Sequence, residues 1–212
     1  MNNKIEELKN KSAYSFDDMR TIMEILRSEN GCPWDKEQTH GSIRNNFIEE
    51  VYEAVEAIDT NDVPLLREEL GDVLQQVVFH ARISEESGEF NIDDVITEVC
   101  VKLIVRHPHI FSSVKVNNTD EVLTNWDAIK QNMKGRTSMR EKLEGVSKAL
   151  PALMRAEKLA KKADYEISAI NIPPTEEAIG EVLFNIAAYA DSLNIDAEQA
   201  LYNVCEKFIM KS

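Results

Sequence analysis

Two acidic pairs at helical spacing, Glu50/Glu53 and Glu69/Asp72, stand on either side of a short polar hinge at residues 60–64. Each is an i,i+3 pair, so on a helix its two side chains leave from one face. Folding the two helices back on each other brings four carboxylates together. Like charges so gathered repel strongly unless a cation neutralises them. Clustered oxygen ligands suit a hard divalent ion, Mg²⁺ or, as the alternative, Mn²⁺. A di-iron carboxylate bundle is the competing metal reading, but it wants Glu-x-x-His motifs on two helices. The only such spacing here, Glu37/His40, falls in an irregular segment.

The elements that must position these acids are helical. Apolar residues recur at helical spacing over residues 15–28, with Ser15 as N-cap and Asp18 as a weaker capping-box partner. An irregular loop with the sequence CPWDKEQTH follows at 32–40. A second helix spans about 42–59, with Ile43, Phe47, Val51, Val55 and Ile58 on one apolar stripe. On that reading Glu49, Glu50 and Glu53 lie opposite the stripe and could pass for a solvated face. Pro64 suits the first turn of a third helix, about 65–87. There Asp72 shares its azimuth with Leu65 and Phe79, and an acid set within apolar surface needs a partner or a metal. At about 1.5 Å per residue, Glu53 and Glu69 lie roughly 10 and 8 Å from the hinge, so the pairs can meet at one level.

Further helices are expected at 92–106, broken by Pro108, and at 121–133, 150–163, 175–193 and 196–210. Residues 135–145 read as a charged, poorly periodic linker. No strand-like alternation stands out, so the chain reads as all-α. An internal repeat matches residues 69–74 to 178–183 and 99–106 to 204–211, with Ala178 where Glu69 stands. The second copy has no acidic partner helix and reads as a packing or dimerisation module. The expected organisation is a domain at 1–135 with the complete acidic motif, a linker at 136–149 and a degenerate, truncated helical copy at 150–212.

A net charge of −14 argues against non-specific binding to nucleic acid or anionic membranes. Three cysteines, odd in number and without CxxC spacing, read as reduced thiols. With no leader-like N-terminus and no run of membrane-spanning length, the expected location is the cytoplasm. Within so acidic a chain a polyanion needs local positive charge. Lys102 and Arg106 share one helical face, as do Trp126 and Lys130. These are candidates for phosphate oxygens and for packing against a base, although such residues are more often surface cations and a core aromatic. Trp34 and Gln38 could stack on and hydrogen-bond to a base, with a core anchor as the equal alternative for Trp34.

These residues resemble the MazG family of nucleoside triphosphate pyrophosphohydrolases, all-α enzymes with an EExxE…ExxD metal motif. The resemblance rests on Glu49-Glu50-Val51-Tyr52-Glu53 with Glu69-Leu70-Gly71-Asp72, on CPWDKEQTH, on RHPHIF at 106–111 and on the Trp126/Lys130 pair. It extends to the segment 152–160, similar to the family's linker into a second domain. It implies a MazG-like helical bundle and a homodimer. It also implies Mg²⁺ ligation by Glu50, Glu53, Glu69 and Asp72, with Glu49 assisting by positioning water. Lys102, Arg106, Trp126 and Lys130 would then hold a (deoxy)nucleoside triphosphate cleaved to monophosphate and pyrophosphate. A narrower dUTP or dCTP diphosphatase is the competing specificity, and an acidic helical scaffold with a structural metal is the non-enzymatic one.

Overall fold

Capping chemistry sets where the helices begin and end. The computed structural model describes residues 2–114, 118, 121–122, 129, 138–165 and 171–211. Helix α1 (Asn2–Lys9) precedes α2 (Phe16–Leu26), which opens on a complete Ser15/Asp18 capping box. The chain then turns through Gly31, where a Cβ would lie 2.2 Å from the Leu26 carbonyl oxygen, so only glycine fits. The CPWDKEQTH segment is not wholly irregular, because Pro33 starts a short helix α3 (Pro33–Glu37). Helices of one or two turns carry too few residues to show a period, which is why α1 and α3 do not stand out in the sequence.

Helices α4 (Arg44–Asp59) and α5 (Val63–Glu86) form the hairpin that the sequence places around Pro64. Asn61 takes a left-handed conformation (φ 55°). The Asn61 and Asp62 amides donate to the Ile58 and Ala57 carbonyls at 3.1 and 2.9 Å, a Schellman closure of α4. The Asp62 side chain then caps α5 by accepting from the Leu65 amide at 3.0 Å. Gly88 (φ 71°) closes α5 in the same way, its amide and that of Glu89 each donating at 3.0 Å to the Glu85 and Ser84 carbonyls. The next helix, α6, is Ile92–Arg106.

The expected stripe on α4 is displaced by one position. The inward line is Ile43, Phe47, Glu50, Ala54 and Ala57, while Val51, Val55 and Ile58 are 43–56% exposed. Alanine scores as weakly apolar, but its small side chain lets α4 approach α5 closely. The bulkier Val51, Val55 and Ile58 face outward.

The chain divides into two compact units, Met1–Ile104 and Val105–Ser212. The core of the first joins Met23, Ile43, Val78, Phe79, Ala81, Ile83 and Ile92, with Phe16 and Met19 packed against it. The second unit contains α7 (Pro108–Phe111), α8 (Met139–Glu144), α9 (Ala152–Ala163), α10 (Glu176–Ser192) and α11 (Ala197–Lys211). Leu143, Val146, Leu159, Cys205 and Ile209 form its core. Helix α8 lies inside the stretch that reads as a poorly periodic linker; a Ser138/Glu141 capping box starts it, and its Leu143 is fully buried. Among the described residues there is no strand, and the fold is all-α. The expected helix at 121–133 lies mostly outside the described residues, although Glu121 and Val122 are helical.

One cation ties the first unit together. The Arg27 side chain, 5% exposed, donates from Nε and Nη2 to the Glu86 carboxylate at 2.8–3.2 Å. Its Nη1 donates to the Asp35 and Gln38 carbonyls, and its guanidinium lies 5.2 Å from the Phe79 ring centroid. It therefore pins the α3 segment to both α2 and the end of α5. Arg27→Met leaves Glu86 with Arg82 alone, at 3.0 Å, and two carbonyls without this donor, and is expected to destabilise folding by about 2–3 kcal/mol, read as a lower urea midpoint at unchanged m value.

Candidate metal centre

The α4–α5 interface changes character along its length. Far from the hinge, Ile43, Phe79 and Ile83 make it apolar; nearer the hinge it carries Glu50 on α4 and Glu69, Asp72 and Gln76 on α5. Glu69 and Gln76 are buried, at 7% and 6% exposure, and Glu50 and Asp72 are half-buried. One carboxylate oxygen from each of Glu50, Glu69 and Asp72 lies within 4.8 Å of the others. Glu53, one turn along from Glu50, is exposed, yet its charge is felt at both Glu50 and Glu69. Glu49 is also exposed, on the outer side of α4.

The electrostatics are those of a crowded anionic site. Burial pushes the Glu50 carboxyl above its ordinary value, and the charges of Asp72 and Glu53 push it further; a hydrogen bond from the Gln76 side chain opposes them. Glu69 is raised likewise, first by burial and then by Glu53, Asp72, Glu68 and Glu50. Among the described residues no ion pair is made to Glu50, Glu69 or Asp72, and such a half-buried set of carboxylate oxygens fits a hard divalent cation, which would supply positive charge.

The remaining candidates differ in exposure and in what they bond. Lys102 is exposed on α6 and pairs with Glu98 at 3.1 Å. Arg106 is half-buried at the last turn of the same helix. Trp34, on α3, is 56% exposed, so it is not a core anchor. Gln38 is occupied within its own segment: its amide donates to the Trp34 carbonyl at 2.9 Å and its carbonyl accepts from the Ser42 hydroxyl at 2.7 Å. Trp126 and Lys130 lie outside the described residues.

Sequence reasoning missed a polar line on α5. Asp72, Gln76, His80 and Ser84 recur every fourth residue, a spacing visible in the sequence but masked by the apolar residues between them. His80 and His40 lie in parallel planes edge to edge, with ring centroids 5.0 Å apart and their Nδ1 atoms 2.7 Å apart. Phe47 closes the other side of His80, with centroids at 5.6 Å. His40 also meets the buried Ser84 hydroxyl, from Nε2, at 3.2 Å.

Residues 38–111 match the MazG nucleotide pyrophosphohydrolase domain. A nucleoside triphosphate pyrophosphohydrolase of Escherichia coli (strain K12) is 37% identical over 220 residues, covering 91% of this chain and 84% of that protein. The nucleoside triphosphate pyrophosphohydrolase/pyrophosphatase MazG of Thermotoga maritima is also 37% identical, over 215 residues, covering 92% of this chain and 82% of its own length. The uncharacterized protein YabN of Bacillus subtilis is 51% identical over 148 residues, which is 70% of this chain; the match spans 30% of YabN.

The raised carboxyls set a sign for stability against pH. Glu50 and Glu69 hold protons more tightly in the folded chain than in the unfolded one. In a chelating buffer their contribution therefore favours folding as pH falls through the raised values and opposes it above them. Glu69→Gln relieves part of the repulsion. Its thermal midpoint in chelator should exceed that of the wild type at neutral pH, with the gap closing as the pH falls through the raised values. A lower midpoint at neutral pH would contradict a mutually repelling cluster.

Proposed function

The chain belongs to the MazG family of nucleotide pyrophosphohydrolases, and from that premise we propose that it hydrolyses (deoxy)nucleoside triphosphates to the monophosphate and pyrophosphate in a Mg²⁺-dependent reaction. The observation that carries this reading is the convergence of Glu50, Glu69 and Asp72 from two helices, with ligand oxygens within 4.8 Å. Relatives that this chain matches over most of their length are named for that activity.

In this reading Glu50, Glu69 and Asp72 hold the cation, with Glu53 completing the set from the exposed side of α4. Bound there, Mg²⁺ supplies charge neutralisation at phosphate oxygens and lowers the pKa of water. Glu49, beside Glu50 on α4, orients the attacking water. Lys102 and Arg106, together with Lys130, stabilise charge on the departing pyrophosphate. Trp126 and Trp34 pack against the nucleotide, and Gln38 shapes the Trp34 segment rather than reading the base directly. Such a transfer needs mainly positioning and electrostatics.

The catalytic domain proposed is 1–135 and the degenerate helical copy 150–212, with the connecting segment at 136–149 packing its α8 residue Leu143 and its Val146 into the core of the second unit. Among the described residues no helix is long and apolar enough to cross a membrane, and a cytoplasmic location is part of the proposal. A homodimer is supported by apolar surface the first unit leaves uncovered: Val51, Val55 and Ile58 on α4, Leu70 and Leu74 on α5, and Val99 and Ile104 on α6 are all exposed.

Asp72→Asn should lower kcat/KM for pyrophosphate release by about 10²–10³-fold while leaving helix content unchanged by circular dichroism. Glu53→Gln tests the exposed fourth acid in the same assay. Products are identified as monophosphate plus pyrophosphate. Diphosphate plus phosphate, or full activity in Asp72→Asn, would overturn the reading.

A further inference from the structure

The polar line on α5 has a hydrogen-bond polarity that can be worked out from its far end. The Ser84 hydroxyl donates to Glu89 Oε2 at 3.2 Å, so its oxygen is left to accept from His40 Nε2. With its proton on Nε2, a neutral His40 offers a lone pair at Nδ1. The 2.7 Å contact between the two Nδ1 atoms then requires the proton to sit on His80. His80 is held neutral, since burial and then His40 lower its pKa. Its Nε2 is therefore a bare acceptor, and that atom is buried without a partner.

Gln76 stands one turn nearer the acidic cluster. Its side chain reaches Glu50, and the donor it can offer a carboxylate is the amide N–H₂. Its Oε1 is the second buried acceptor without a partner. The two orphaned atoms belong to residues four apart on one helix face, where side chains are neighbours. Leaving a buried acceptor unmade is costly, and one water can donate to both. A flipped Gln76 would set its carbonyl against the Glu50 carboxylate, acceptor to acceptor.

We infer that Gln76 is a positioning residue for the metal centre. A buried water, held by His80 Nε2 and donating to the Gln76 carbonyl, fixes the amide so that its N–H₂ holds the Glu50 carboxylate toward Glu69 and Asp72. The His40–His80–Ser84–Glu89 chain sets the His80 tautomer that makes this possible. The ligand served is a divalent cation, so the inference rests on the metal-centre reading above.

Isothermal titration of Mg²⁺ into the full, nucleotide-free chain tests it without any turnover. Gln76→Met keeps the shape and removes both hydrogen-bonding groups; it should weaken Mg²⁺ binding about tenfold or more. His80→Leu should weaken it in the same direction and by less. Gln75→Met, on the exposed side of α5, should bind as the wild type does. A folded Gln76→Met with wild-type affinity, even with a lowered thermal midpoint in chelator, would show a packing role and overturn the inference. If Gln76→Met does not fold, His80→Leu decides, and wild-type affinity there overturns it equally. A wild-type chain that binds no Mg²⁺ fails at the earlier step and removes the metal centre and this inference together.

Discussion

Mutual repulsion of carboxylates is the constraint around which the first unit is built. Glu50 comes from one helix and Glu69 and Asp72 from the next, and nothing in their own chemistry draws them together. The α4–α5 hairpin does that work. Ala54 and Ala57 let the helices approach, the Asn61 and Asp62 caps fix the turn, and the apolar end at Ile43, Phe79 and Ile83 supplies the favourable burial. A packed apolar half thus holds an unfavourable polar half in place, and a cation bound there would relieve the repulsion. Stability given up at a site in this way is a common cost of function.

Much of this was legible before the structure. The hinge, the acids on α5 and the Ser15 and Asp18 cap all follow from residue type and spacing, because capping and interruption of an apolar helix are local signals. The inward face of α4 was not legible. Reading hydrophobicity by bulk selects Val51, Val55 and Ile58, whereas the packing selects Ala54 and Ala57 and so turns Glu50 inward. What sets the face is how close two helices come, a property of the pair that neither helix displays alone. The short helices α1, α3 and α8 were invisible for a simpler reason, since a period needs length to be seen. Gln76 and His80 were hidden by their neighbours Val77, Val78 and Phe79, which make that stretch read as plain core.

The second unit shows the same grammar with different content. Helix α10 ends on Asn194 (φ 54°), and the Asn194 and Ile195 amides donate back at 2.9 Å, as Gly88 and Glu89 do after α5. Cys205 is buried against Leu159 there, whereas Cys100, its counterpart in the sequence repeat, is exposed on α6. Among the described residues the buried charge in this unit is cationic: Arg155 is wholly enclosed, bonded to Glu206 and lying 4.8 Å from the Tyr202 ring centroid. Such a pair is costly to break and contributes modestly while intact.

The outward turn of Val51, Val55 and Ile58 has a thermodynamic consequence. In the homodimer proposed above, a helix with its larger apolar side chains on the outside would draw part of its stabilisation from contacts with the second copy. For such a dimer the free energy of unfolding would not be a molecular constant but would depend on protomer concentration. Dilution would then act as a denaturant, and the acidic centre between α4 and α5 would lose its support as the outer face of α4 lost its cover.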